Sequence, residues 1–90
     1  MRGIYRYYLD CGRMGYLEGL FVAELSAVEA LVGKTCYYGE ALGKHSEIDD
    51  DEPRANTTLV SAQEQHLATF DELGLSVGFN PLDYVREDEE

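Results

Sequence analysis

The sequence predicts an α+β fold, a small antiparallel sheet with two helices on one face in a ββαββα-like order. Three observations predict it. A tyrosine-rich run and a second extended apolar run flank a glycine-containing turn near the start of the chain. Ser-Ala-x-Glu occurs twice, at Ser26 and at Ser61, each time after an extended apolar segment. A glycine then closes each helix-like stretch, Gly33 in the first case and Gly74 in the second. Ninety residues suit one domain, since compact domains start at about 50 residues and a chain this short cannot fill two cores. The domain is expected over residues 1–86, with 87–90 a frayed acidic tail.

Residues 4–9 read as a strand, with Tyr5, Tyr7 and Leu9 on one face and Ile4, Arg6 and Tyr8 on the other. Asp10-Cys11-Gly12-Arg13-Met14-Gly15 follows and supplies two glycines where a reversing chain needs positive φ. In residues 16–24, Leu17, Phe21 and Ala23 alternate with Glu18 and Glu24, so the two runs are expected to make a β-hairpin. Ser26 and Glu29 have capping-box spacing, in which the hydroxyl accepts from the amide three residues on and the carboxylate reaches back. The helix they start is short, because Gly33 arrives after about two turns as a C-terminal cap. Residues 34–40 return to β-type side chains as a third strand, Gly39 and Gly43 bracket a turn, and residues 45–48 read as a fourth extended piece.

Residues 49–56 read as a charged loop, in which Pro53 lacks a backbone donor and disfavours helix just before it. Residues 57–60 give a short strand signal, and Ser61 with Glu64 repeats the capping-box spacing. Leu67, Phe70 and Leu73 then share one helical face while Gln63, Asp71 and Glu72 face water. Gly74 stops that helix, residues 75–77 read as a last strand, and Asn80-Pro81 marks a turn.

Charge narrows the function classes. Eighteen Asp and Glu against seven Lys and Arg give a net charge of -11, with much of the acid excess in Glu47-Ile48-Asp49-Asp50-Asp51-Glu52 and in Glu87-Asp88-Glu89-Glu90. Such a surface repels nucleic acid and attracts basic protein grooves. At 44% apolar residues, with seven Tyr and three Phe, the chain can fold around a core that those rings dominate. Cys11 and Cys36 stand apart, with neither a CxxC nor a paired His, so two reduced, partly buried thiols are expected rather than a zinc or redox site. Arg2, Arg6, Asp10 and Arg13 interrupt any leader-like run, and no stretch approaches the roughly 20 apolar residues that cross a bilayer. A cytoplasmic protein without a membrane partner is expected.

No catalytic, metal or nucleotide motif fits. His45, Glu47, Asp49 and Asp51 would project the same way from an extended chain. A calcium loop begun at Asp49, however, would put Arg54 where the turning Gly belongs and Val60 where the bidentate Glu belongs. His66 has neither a nucleophile nor an orienting acid assignable by spacing. The run from Gly39 to Lys44 lacks the span of a phosphate loop and holds Glu40 where phosphate would approach. Neither a cofactor nor enzymatic activity is expected. Tyr7 and Tyr8 must point to opposite faces, as must Tyr37 and Tyr38, so one of each pair is expected near the surface, where tyrosine anchors interfaces well. Stacking of single-stranded nucleic acid on such rings needs a positive groove, which seven scattered cations do not supply.

In size and acidity the chain resembles the small phage-encoded inhibitors of bacterial defence, the anti-CRISPR and anti-restriction DNA mimics. The resemblance is one of general character and carries no residue over. It implies a viral protein acting in the bacterial cytoplasm, an acidic inhibitor that binds a basic nucleic-acid-binding protein such as a Cas protein or complex, with no direct contact to nucleic acid. From the residues, the expected contact is Glu47, Asp49, Asp50, Asp51 and Glu52, with Asp71 and Glu72 of the second helix as further members and Tyr37 or Tyr38 as apolar anchor. The competing expectation is a non-enzymatic interaction module or small assembly subunit unrelated to nucleic acid, joined through a tyrosine-bearing sheet face or an exposed strand edge.

Overall fold

The two extended runs flanking the first turn form the spine of the fold. In the computed structural model, which describes residues 1–43 and 47–86, β1 (Arg2–Asp10) and β2 (Tyr16–Glu24) pair antiparallel from Arg2 opposite Glu24 to Asp10 opposite Tyr16. The chain reverses through a single 3-10 turn (Gly12–Met14), where Asp10 Oδ1 accepts from the Gly12 amide at 2.9 Å. β5 (Thr57–Ser61) joins the outer edge of β1 and β6 (Val77–Gly78) that of β2, giving the antiparallel order β5-β1-β2-β6. A Cβ on Gly19 would overlap the Phe79 carbonyl, so the missing side chain is what lets β6 lie against β2. A separate two-stranded ribbon consists of β3 (Cys36–Gly39) and β4 (Ile48–Asp50), and the helices are α1 (Leu25–Glu29) and α2 (Glu64–Leu73).

The class is α+β, as the patterning predicts, but the helices do not share a face. Tyr5, Tyr7, Leu17, Phe21 and Ala23 point to one side of the sheet, where Val28 and Leu31 from α1 and the turn after it pack with Cys36, Tyr38 and Ile48 of the ribbon. Ile4 points to the other side and is covered by Leu67 and Phe70 of α2, with Leu20 and Val22 half-buried beside it. Both hairpin strands therefore carry apolar side chains on both faces, and each face needs its own cover. β3 consequently lies in a second layer and not in the main sheet.

Neither capping box closes as expected. α1 begins at Leu25 with Glu24 as its N-cap residue, so Ser26 lies inside the helix. The chain start takes over that end: the Leu25 amide donates to Met1 O at 2.9 Å, and the Glu24 carboxylate pairs with the terminal ammonium at 2.8 Å. α1 stops at Glu29, and Gly33 ends the turn that follows. Ser61 stays in the ladder opposite Ile4, which moves the start of α2 to Glu64. Its other end is as expected, since Gly74 adopts the left-handed conformation and its amide donates to Phe70 O and Asp71 O. The expected loop over 49–56 gives up Asp49 and Asp50 to β4. Residues 44–46, which include half of the expected extended piece at 45–48, and the acidic tail at 87–90 lie outside the described residues.

Candidate functional site

The β3–β4 ribbon sorts the acidic run by strand alternation. Cys36 faces Asp50 and Tyr37 faces Asp49 across the ladder. Ile48 and Asp50 turn inward, whereas Glu47, Asp49 and Asp51 are exposed. The other edge of β3 is held by the chain end: the Tyr37 amide donates to Tyr84 O at 3.0 Å, and the Arg86 amide to Thr35 O at 2.7 Å. β3 is thus bonded on both sides, with β4 along one edge and residues 84–86 along the other.

Asp50 does not belong to the surface. It is 3% exposed, and among the described residues it is the one buried carboxylate. Tyr7 donates its hydroxyl to Asp50 Oδ2 at 2.6 Å, Asn56 Nδ2 reaches both carboxylate oxygens at 3.0 Å, and the Glu52 amide donates to Oδ1 at 2.9 Å. These donors replace water around the charge and tie the ribbon to β1 and to the loop before β5. Tyr38 is likewise a core residue, 7% exposed, with its ring 4.7 Å from that of Tyr84 and edge-on to Phe79 at 5.6 Å. Its hydroxyl has no partner in hydrogen-bonding geometry, although Tyr7 and Cys36 stand beside it. Asp50 and Tyr38 are therefore removed from the expected contact set, because inward positions on a ribbon cannot reach a partner.

Tyr37 is exposed, as alternation predicts for one member of its pair. The Glu47 carboxylate, helped by partial desolvation and by Asp49, raises its hydroxyl above the ordinary tyrosine value, while Arg86 opposes them. The Arg86 guanidinium lies 5.5 Å from the centre of the Tyr37 ring. Asp51 and Glu52 lie around the corner, beside a groove of about 480 Å³ with Leu31, Val32 and Ala55. Arg54 borders the same groove but is committed elsewhere, to Glu29 Oε2 at 2.7 and 3.0 Å and to Thr57 O at 2.9 Å. Asp71 and Glu72 belong to α2, across the central sheet from the ribbon, and Asp71 pairs with Arg2 at 3.0 Å. The structure brings Glu47, Asp49 and Tyr37 together and leaves Asp71 and Glu72 apart.

Other chemistry is sparse. Ser61 Oγ lies 2.7 Å from His66 Nδ1, a pair that sequence spacing missed because a strand end and a helix start meet there. The same Oγ accepts from the Gln63 amide at 3.2 Å, and among the described residues no carboxylate orients the imidazole. Cys11 and Cys36 are free thiols, the first half-buried and the second buried. Burial pushes the Cys36 thiol up to about 11, and burial with Asp10 also raises Cys11, so neither is activated. Among the described residues, no group of three or more His, Cys, Asp and Glu could hold a metal ion, and no helix is long and apolar enough to cross a membrane. His45 lies outside the described residues. Comparison with protein-family models, curated proteins and solved structures found no match.

Proposed function

We propose that the chain acts by binding and not by catalysis, as an acidic inhibitor that occupies the basic groove of a nucleic-acid-binding bacterial defence protein, in the manner of the anti-CRISPR and anti-restriction DNA mimics. The observation that supports this reading best is the exposed pair Glu47 and Asp49 beside exposed Tyr37, with exposed Asp51 following beyond the end of β4. Alternate residues on an extended chain stand about 6.6 Å apart, and one strand of duplex DNA carries a charge about every 3.4 Å of axis. Glu47 and Asp49, flanking Ile48 at the start of β4, therefore offer about half the linear charge density of a DNA strand. Carboxylates supply rate and orientation, and Tyr37 supplies apolar contact area.

The test is the salt dependence of binding to purified CRISPR effector complexes and restriction enzymes. Wild type should bind one of these basic targets with an affinity that falls steeply as salt rises. The variant E47Q/D49N/D51N should bind more weakly and with a flatter salt dependence while melting like wild type. Equal affinity for the variant and wild type contradicts the reading.

A further inference from the structure

The turn after α1 and the loop after β4 face each other across a groove of about 480 Å³, a volume within the range of about 300–1,000 Å³ found for ligand clefts. Its floor is apolar. Leu31 is otherwise a core residue, Val32 is 66% exposed, and Ala55 is exposed beside them. Gly33 sends no side chain into the groove, and the space where a Cβ would stand is open. The two walls are tied together. Arg54 reaches from the loop to Glu29 Oε2 of α1 at 2.7 and 3.0 Å, Pro53 is fully buried, and Thr57 Oγ1 donates to Pro53 O at 2.7 Å. The groove is therefore formed before anything enters it, which lowers the ordering cost of binding.

We propose that this groove takes a short peptide segment of a partner protein, in which one aliphatic side chain is flanked by Lys or Arg. The argument is charge complementarity around an apolar floor. Asp51 and Glu52 line the groove, both are exposed, and among the described residues neither joins an ion pair. The charge of Arg54, the one cation in the lining, is met by Glu29. Lys34 lies beyond Gly33 and does not line the groove. The rim is therefore acidic. It repels an acidic segment or a nucleic acid, and a purely basic segment would leave Val32 in water. An aliphatic side chain between two cations answers both features, since it covers Val32 and Ala55 while its neighbours face Asp51 and Glu52.

This contact differs in chemistry from Glu47 and Asp49 of the ribbon and does not depend on them. Two acetylated and amidated pentapeptides of equal charge test it, Gly-Lys-Leu-Lys-Gly and Gly-Lys-Ser-Lys-Gly, each titrated into the full chain and followed by nuclear magnetic resonance. The leucine peptide should bind about tenfold more tightly than the serine peptide and shift the amides of residues 31–33 and 51–55. V32S, which changes no charge, should remove most of that preference. D51N/E52Q should weaken both peptides severalfold, whereas E47Q/D49N, with the same change in net charge, should bind them like wild type. Melting curves confirm that each variant is folded. Equal or absent binding of the two peptides, a preference that survives V32S, or equal weakening by the two double variants each overturns the proposal. None of these outcomes bears on the ribbon, whose test uses defence proteins in place of peptides.

Discussion

Tyr7 and Asp50 are 43 positions apart in sequence and 2.6 Å apart at their oxygens, and both are buried. Their bond ties the central strand to the ribbon that carries the candidate site. Removing the Tyr7 hydroxyl takes one donor from a buried charge, so Tyr7→Phe should cost about 2 kcal/mol, and Asp50→Ala, which strands the hydroxyl and Asn56, about 3 kcal/mol. Urea unfolding of both single variants and the double should give a coupling of about 1 kcal/mol or more. Simple additivity would mean that the two do not act as a pair.

Tyr38 gives the opposite expectation. Its hydroxyl is buried without a partner in hydrogen-bonding geometry, so its desolvation is uncompensated. Tyr38→Phe should be neutral or stabilising by up to about 1 kcal/mol, with partner binding unchanged. A loss as large as that of Tyr7→Phe would show that the hydroxyl is bonded after all.

Alkaline pH should destabilise the fold through Cys36. Its thiol ionises at the ordinary value of 9.0 when the chain is unfolded and at about 11 when burial holds it neutral. As pH rises, the unfolded chain therefore loses its proton first, and native stability drains away between pH 9 and about 11. Burial raises Tyr7 and Tyr38 in the same direction, so they add to the loss at higher pH. Melting temperature against pH should fall over this window, and Cys36→Ala should flatten its first part. An unchanged slope in that variant would remove Cys36 as the cause.

Gly19 should tolerate no side chain. A Cβ there meets backbone atoms of Phe79, which cannot swing aside as a side-chain end can. Gly19→Ala should detach β6 and expose the β2 edge, seen as rapid amide exchange at residues 77–79. Protection equal to wild type would mean that β6 shifts without cost.

Alternation made much of this legible in the sequence. It predicts that Tyr7 and Tyr8 part company, as do Tyr37 and Tyr38, and the structure buries Tyr7 and Tyr38 while exposing their neighbours. The two-sided sheet was also legible in principle, since Leu20 and Val22 supply a second apolar row opposite Leu17, Phe21 and Ala23. Glu18 and Glu24 bracket that row and give its face a polar signature, which is why the pattern points to both helices on one face. The Ser-Ala-x-Glu boxes misled because a capping serine competes with whatever else can use its backbone, and the ladder at Ile4 and the chain start at Met1 prevailed. Asp50 was the least legible. Nothing local separates it from Asp49 and Asp51, and its burial depends on Tyr7 and Asn56 arriving from elsewhere in the chain.

The most direct test of the account is competition by duplex DNA. Wild type and E47Q/D49N/D51N, each immobilised, are offered lysate from bacteria carrying CRISPR and restriction systems, washed with and without duplex DNA, and the retained proteins identified. The account predicts that wild type retains a nucleic-acid-binding defence protein, that DNA releases it, and that the triple variant does not hold it. Retention that is indifferent both to DNA and to loss of the three carboxylates would contradict it.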